Sequence, residues 1–250
     1  MTLTKLRGRS RTDKVFVTFA EAVSDIPDGA TVIIGHFGGP GGMPMLLLRA
    51  LRDHGARGLT IVGNTAGIGV AFGATRDTLR IDPGILVKNG QVSKAIVSYP
   101  ISPRAPQPNP LEEGFKAGTI EIEMNPQGIL AERIRAGGAG IAAFWSPVGV
   151  GTVVAEGKET RTIDGVEYIL ERAIKADFSL IRAHRADTAG NLVYRGNMRH
   201  FNVTSATASR VTVAEVDEIV QLGELDPDRI VTPGIYVDRI VRRPRELRGK

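Results

Sequence analysis

Apolar and polar positions along the chain predict strands and helices in alternation. Residues 30–34 form a short apolar run rich in β-branched side chains, which is typical of a buried strand. Residues 45–53 carry leucines at 46, 47, 48 and 51, which predicts a helix with one apolar side. Residues 59–62 form a second apolar run. The order strand, glycine-rich loop, helix, strand is a βαβ unit, which predicts a parallel sheet covered by helices.

This alternation continues along the rest of the chain. The pattern predicts further strands at 95–97, 120–124, 178–181 and 210–216, and helices at 19–23, 128–135 and 166–174. Residues 99–110 contain five prolines and are predicted to form an irregular loop or flap. No domain boundary is evident. The predicted fold class is α/β, with a mostly parallel sheet flanked by helices.

Composition narrows the class of protein. The chain has 250 residues, 42% hydrophobic and 24% charged, which is sufficient for a large buried core. It contains no cysteine, which excludes disulfides, a thiolate nucleophile and a cysteine-based zinc site. No stretch approaches about 20 uninterrupted apolar residues, so we expect no membrane-spanning helix. The basic N-terminal segment lacks the apolar core of a signal peptide, and a cytoplasmic protein is expected.

The net charge of +5 comes largely from the two ends of the chain. The basic residues there are Lys5, Arg7, Arg9, Arg11 and Lys14, and Arg239, Arg242, Arg243, Arg245, Arg248 and Lys250. Neither cluster is interleaved with aromatic residues, so solvated tails are favoured over a nucleic-acid surface. Attraction of an anionic small ligand is a further interpretation. We expect a flexible arm at 1–13, one domain at 14–241 and a basic tail at 242–250.

The loop at 35–44 is the first candidate ligand site. It holds five glycines in ten positions between a strand and a helix, and glycine lets the backbone approach a ligand closely. The N-terminus of the following helix would favour an anion such as phosphate or carboxylate. The loop matches neither the P-loop nor the dinucleotide pattern. A tight turn without a ligand therefore stays open as the alternative.

The second candidate segment is 125–140, in which a predicted strand leads into a turn and a helix. Gln127 stands just before the helix, where its amide would meet a ligand or cap the helix. Gly137, Gly138 and Gly140 are interpreted as a helix C-cap and turn. No histidine pair has metal-ligand spacing, and no Gly-x-Ser-x-Gly motif is present. Residue patterns alone thus indicate a small anionic ligand but no nucleophile.

Several motifs, taken in order, resemble the α subunit of the family I (3-oxoacid type) CoA-transferases over residues 14–241. The most specific is 126–140 (Pro-Gln-Gly-Ile-Leu-Ala-Glu-Arg-Ile-Arg-Ala-Gly-Gly-Ala-Gly), followed by 144–152 (Phe-Trp-Ser-Pro-Val-Gly-Val-Gly-Thr) and 156–158 (Glu-Gly-Lys). Residues 186–191, 199–202, 223–227 and 232–236 are similar to family segments in the same order. The loop at 35–44 and Asn64-Thr-Ala-Gly67 resemble the family's CoA loop and its Asn-Asn-Ala-Gly segment.

The resemblance implies a CoA-transferase (NagB/RpiA-like) superfamily architecture and a ping-pong transfer through an acyl-glutamyl anhydride and a glutamyl-CoA thioester. The family's catalytic glutamate lies on a separate β subunit, so this chain is expected to need that partner and to carry no catalytic residue. Coenzyme A and small carboxylic acids are implied as substrates, with no resident cofactor, metal, nucleic acid or membrane. The implied CoA- and substrate-binding residues are Gly35, His36, Phe37, Gly38, Gly39, Pro40, Gly41, Gly42, Asn64, Gln127, Gly137 and Gly138.

Two segments depart from the family pattern, and the second is interpreted as a sign of an unusual acyl substrate. His36 stands where a glycine is usual, and the proline-rich stretch after Tyr99 replaces a common Gly-x-Asn segment. Tyr99 and Arg104 are therefore candidate acyl-specificity residues, with drift in a surface loop and a solvated arginine as the alternatives. Two other functions stay open: a CoA-thioester hydrolase subunit of the same fold, and a non-catalytic ligand-sensing domain.

Overall fold

A large, mostly parallel sheet dominates the computed structural model, which describes residues 14–37, 42–67, 81–101 and 108–247. Within these residues eight strands run in the order β1-β12-β11-β9-β2-β3-β4-β5, and every neighbouring pair in this order is parallel. A ninth strand, β10, pairs with β9 in the antiparallel direction. The strands of this sheet are β1 (Val15–Phe16), β2 (Thr31–Ile34), β3 (Leu59–Gly63), β4 (Val92–Val97), β5 (Glu121–Met124), β9 (Ala176–Asp187), β10 (Leu192–Val193), β11 (Ser209–Val220) and β12 (Arg239–Arg242).

Helices cover both faces of this sheet, which confirms the predicted fold class. The helices are α1 (Phe19–Val23), α2 (Met45–His54), α3 (Gly84–Lys88), α4 (Pro110–Lys116), α5 (Gln127–Ala139) and α6 (His200–Ser205). Val32 and Ile34 of β2 pack into the core beneath α1 to α4, and Ile33 packs into the core beneath α5 and α6. Side chains alternate across a strand, so a sheet buried on both faces needs an unbroken apolar run such as 30–34.

A second, antiparallel sheet of three strands corrects one prediction. It consists of β6 (Ala143–Ser146), β8 (Val166–Arg172) and β7 (Thr160–Ile163), so the helix predicted at 166–174 is wrong. Asp164 and Gly165 form the two-residue turn between β7 and β8, with φ of 50° and 78°. An Asp-Gly pair between apolar residues is a strong hairpin signal, and it could have identified this hairpin from the sequence.

The interpretation of the C-terminal arginines as solvated is wrong for two of them. Arg239 is 5% exposed and pairs with Asp25 through two 2.6 Å contacts. Arg243 is 1% exposed and pairs with Glu215. Arg239 begins β12 and Arg243 directly follows it, and β12 is an interior strand of the sheet, lying between β1 and β11. In the part of the chain that the structure describes, no helix is long and apolar enough to cross a membrane.

Candidate functional site

Asn64, Tyr99 and Gln127 meet where three neighbouring parallel strands end. Asn64 follows β3, Tyr99 follows β4 shortly after its end, and Gln127 opens α5 after β5. The Gln127 side-chain amide donates to Asn64 Oδ1 at 2.6 Å, and the Tyr99 amide donates to the Asn64 carbonyl at 2.9 Å. The carboxyl ends of parallel strands share one edge of the sheet, which is where ligands bind in open α/β folds.

The amide pair of Asn64 and Gln127 keeps capacity for a ligand. Gln127 is exposed, whereas Asn64 is 8% exposed and held by its neighbours. A side-chain amide has two N–H donors, and Gln127 uses one of them on Asn64. Among the described residues neither the second donor of Gln127 nor the amide nitrogen of Asn64 is bonded to a partner. The pair can therefore donate hydrogen bonds to a carbonyl or carboxylate oxygen at the strand ends.

His36 ties the glycine-rich loop to the Asn64 segment. Its ring is fully buried, and Nε2 lies 3.0 Å from the carbonyl oxygen of Thr65, which follows Asn64 directly. Burial, assisted by the nearby His200, lowers the pKa of His36 to about 4. His36 is therefore neutral at physiological pH. Its ring faces the Thr65 carbonyl inside the chain, not solvent, and so holds the glycine-rich loop against the Asn64 segment.

Helix α6 holds both ends of the same loop. The Asn202 side-chain amide donates to the Gly42 carbonyl at 2.8 Å, and its Oδ1 accepts from the Arg182 amide at 3.0 Å. A Cβ added at Gly35 would stand 2.1 Å from Asn202 Oδ1. Close packing against Asn202 thus requires glycine at position 35. Asn202 belongs to the family-like segment 199–202, which is the part of the sequence that could have indicated this contact.

Phe37 and Gly42 pack against the start of α6. The Phe37 ring is 48% exposed and stacks on Phe201 with ring centroids 6.0 Å apart. A Cβ at Gly42 would come within 2.1 Å of His200 Nε2. Both ring nitrogens of His200 are shielded from solvent and lack a hydrogen-bond partner in the described part of the chain. Burial lowers the pKa of His200 to about 4, so this ring is neutral as well.

The helix N-terminus predicted to attract an external anion is already occupied. The amides of Leu46 and Leu47 in α2 donate to the Glu215 carboxylate at 2.8 and 3.1 Å. Glu215 is fully buried in β11, where Arg243 pairs with it and Arg182 approaches to 3.9 Å. Burial raises the pKa of Glu215, and the two arginines and two amides oppose that rise. The anion expected at this helix is thus an internal side chain.

Sequence reasoning missed this buried charge cluster. Arg182 also donates to Asp217 at 2.6 Å, and Asp217 accepts a 3.2 Å contact from His184. The signal was present, since Glu215 interrupts the apolar run predicted as a strand at 210–216 and Asp217 follows it directly. A carboxylate on a buried strand needs a buried partner. The cluster joins β9, β11 and the C-terminal segment to the start of α2.

Gly137 and Gly138 lie apart from the amide pair. Both fall inside α5, ten and eleven residues beyond Gln127, which corresponds to about 15 Å along a helix. A Cβ at Gly137 would stand 1.9 Å from the Ile174 carbonyl oxygen, and one at Gly138 would stand 2.1 Å from Thr207 Oγ1. Only Gly140 is the left-handed C-cap, so the predicted cap and turn at 137–138 is wrong.

Five candidate residues fall outside the described residues: Gly38, Gly39, Pro40, Gly41 and Arg104. Their assignment to ligand binding stays a prediction. Within the described ranges, no group of three or more histidine, aspartate or glutamate side chains could hold a metal ion.

Known proteins match this chain over nearly its whole length. The α subunit of 3-oxoadipate CoA-transferase from Pseudomonas putida is 47% identical, over 92% of this chain and 93% of the relative. The α subunit of succinyl-CoA:3-ketoacid coenzyme A transferase from Xanthomonas campestris pv. campestris (strain B100) is 49% identical, over 86% of this chain and 83% of the relative.

A solved structure has the same fold. An acyl-CoA transferase from E. coli O157:H7, crystallised as a thioester complex with CoA, superposes with a TM-score of 0.78 at 24% identity. The match covers 93% of this chain and 47% of that one, so this chain spans about half the length of that protein. The family model described as coenzyme A transferase matches residues 16–243. The chain therefore belongs to the coenzyme A transferase family.

Proposed function

We propose that this chain is the α subunit of a 3-oxoacid-type CoA-transferase, which moves CoA from an acyl-CoA donor to a carboxylic acid acceptor. The observation that carries the proposal is its 47% and 49% identity to two CoA-transferase α subunits, over most of both chains. The amide pair of Asn64 and Gln127 at the strand ends is the geometric support. We also propose a cytoplasmic location and coenzyme A as a substrate that is not permanently bound.

In the proposed reaction the nucleophile belongs to the partner subunit. Its glutamate attacks the acyl-CoA carbonyl, CoA thiolate leaves, and an acyl-glutamyl anhydride forms. The thiolate then attacks the glutamyl carbonyl and releases the donor acid, which leaves a glutamyl-CoA thioester. The acceptor carboxylate repeats these two exchanges in reverse order, which yields the new acyl-CoA and restores the glutamate.

The proposed task of this chain is to bind and orient the reacting acyl group. The free amide donors of Asn64 and Gln127 would bond to the acyl oxygen, where negative charge develops as the tetrahedral intermediate forms. Tyr99 lies on the same strand-end surface, and the contact from its amide to Asn64 holds that side of the site in place. Gly35, His36, Phe37 and Gly42 would shape the adjoining wall.

A side-chain deletion tests this role. In the chain co-expressed with its partner subunit, Gln127→Ala should lower kcat by about 10² if its amide stabilises the developing oxyanion. The matched control is Glu132→Ala on the same helix, whose 48%-exposed side chain pairs with Arg135 and should leave kcat unchanged. A Gln127→Ala enzyme with wild-type kcat and KM would exclude the amide from the reaction.

Transfer and hydrolysis are separated by omitting the acceptor. The wild-type pair is mixed with succinyl-CoA or acetyl-CoA, first alone and then with a series of carboxylic acids. A transferase forms a new acyl-CoA only when an acceptor acid is present. Rapid release of free CoA without an acceptor would overturn the proposal in favour of a thioester hydrolase.

A further inference from the structure

An open apolar cleft lies beside the amide pair, between α4, β5 and a short 3-10 helix at Val153–Ala155. Its volume is about 620 Å³, and its apolar walls come from Pro100, Ile101, Phe115, Ile122, Met124 and Val153. Small-molecule sites typically enclose roughly 300–1,000 Å³ and are lined mainly by apolar side chains. Phe115 and Val153 are 57% and 67% exposed, so these walls face open solvent.

Several charges at the cleft are compensated inside the chain. Lys158 contacts the buried Glu171 at 2.6 Å, and Glu123 pairs with Arg133 at 2.6 Å and with Lys94 at 3.1 Å. These contacts commit the charged groups of the wall to partners within the fold. The charge of Lys158 is therefore already paired with a buried carboxylate within the fold.

The remaining charged groups at the cleft, Glu112, Lys116 and Glu156, carry no net positive charge. Glu112 belongs to the capping box of α4, where its carboxylate accepts from the Asn109 amide at 2.9 Å. Lys116 and Glu156 form no ion pair within the described ranges, and their charges are opposite. The cleft as a whole thus presents apolar surface without net positive charge, which suits a hydrocarbon chain and disfavours an anionic tail.

The cleft is lined by residues that lie next to the amide pair along the chain. Pro100 follows Tyr99, whose amide bonds to the Asn64 carbonyl. Met124 ends β5 three residues before Gln127, and the Asn125 amide bonds to Val97 at the end of β4. A ligand whose carbonyl or carboxylate meets the amide pair can therefore extend its remaining atoms into the cleft.

We propose that this cleft binds the aliphatic part of the acyl group and selects monocarboxylic acids with a hydrocarbon tail over dicarboxylic acids. The inference rests on the proposed function, because the amide pair is taken to hold the reacting end. The names of the two relatives above include 3-oxoadipate and succinyl-CoA, both of which carry a second carboxylate, whereas the cleft predicts a preference for an acyl group without one.

Binding of a chain-length series tests the proposal without any need for transfer activity. The probes are butyrate, hexanoate and octanoate, and adipate as the six-carbon dicarboxylic match to hexanoate. They are titrated into the full chain, alone and co-expressed with its partner subunit, by isothermal calorimetry. Each methylene that enters the cleft should tighten binding about fourfold. Adipate should bind about tenfold or more weakly than hexanoate, because its second carboxylate would be desolvated without a partner.

A filled cleft provides the matched variant. Val153→Trp adds bulk to an exposed cleft wall, and Val166→Trp makes the same change at a 48%-exposed site on β8 outside the cleft. Val153→Trp should weaken octanoate binding about tenfold and remove most of the gain in affinity from hexanoate to octanoate, which corresponds to the loss of about two buried methylenes. Val166→Trp should bind like the wild type.

Three results would overturn the proposal. One is equal affinity from butyrate to octanoate, and another is adipate binding more tightly than hexanoate. The third is a pair of findings: octanoate no longer binds when the partner subunit is present, and Val153→Trp prevents the two subunits from assembling. The cleft would then be a contact surface for the partner subunit. Failure of the proposed transfer reaction would appear separately, as an inactive pair that still binds the acids with the expected chain-length dependence.

Discussion

The buried imidazole of His36 should make the stability of the fold depend on pH. Its pKa in the folded chain is about 4, below the usual value of 6.5, because burial disfavours the charged ring and His200 adds to the effect. Between these two values the unfolded chain binds a proton that the folded chain does not. The free energy of unfolding is therefore highest above pH 6.5 and falls as the pH drops toward 4.

The size of this effect follows from the difference between the two pKa values. Full protonation across a gap of about 2.5 pH units corresponds to about 3 kcal/mol, and about 2 kcal/mol of it is lost by pH 5. The pKa of His200 is lowered to about 4 as well, so it adds to the loss in the same pH range. Typical domains have only about 5–15 kcal/mol of stability, so this change is measurable.

Urea unfolding of the wild type and of His36→Gln at pH 8 and pH 5 measures the effect. Glutamine can place an amide where Nε2 of His36 meets Thr65 but does not titrate. The variant should lose about 2 kcal/mol less than the wild type between the two pH values. His54→Gln, which removes an imidazole from the exposed end of α2, is the comparison for loss of a surface histidine. Equal losses in His36→Gln and the wild type would refute the argument.

Two further predictions concern packing and buried charge. Gly137→Ala should destabilise the chain by about 1–3 kcal/mol, because its Cβ would overlap the Ile174 carbonyl, whereas Gly128→Ala in the same helix should stabilise it by up to about 1 kcal/mol. Thermal unfolding of the two variants side by side checks this, and a matching shift in both would contradict it. Glu215→Ala should cost about 3–5 kcal/mol in a urea titration, because it removes the buried carboxylate that pairs with Arg243 and accepts from the first amides of α2. A cost below about 1 kcal/mol would show that the cluster relaxes or admits water.

Glu215 also indicates how the glycine-rich loop is held. Its carboxylate bonds to the first turn of α2, directly after the loop, while Asn202 bonds to Gly42 within it. The loop is therefore anchored by β11 and by α6, both of which are distant in sequence from the loop itself. An external phosphate at the N-terminus of α2 would have to compete with this fixed internal anion, so the exposed amide pair is the better candidate ligand contact.

Local patterns in the sequence were sufficient for the α/β class and for most elements of the main sheet. The unbroken apolar run at 30–34 indicates a strand buried on both faces, and the leucine spacing at 45–53 indicates a helix buried on one side. The spacing of apolar residues therefore separates strands from helices in this fold. The signature at 126–140 was sufficient for the family. The hairpin around Asp164 and Gly165 was missed because apolar spacing at 166–174 fits a short helix as well as a strand. The Asp-Gly turn signal favours the strand, and pairing with β6 and β7 establishes it.

Tertiary structure decided which polar groups meet. Asn64 and Gln127 are 63 residues apart, and Leu46 and Glu215 are 169 apart, so no local pattern links either pair. Parallel strands bring Asn64 and Gln127 together because the carboxyl ends of neighbouring strands share one edge of the sheet whatever the length of chain between them. Conversely, Gly137 and Gly138 are close to Gln127 in sequence but lie about 15 Å from it, because a helix rises about 1.5 Å per residue along its axis. The sequence alone supplied the candidate ligand residues, and the order of strands in the sheet determined which of them lie together.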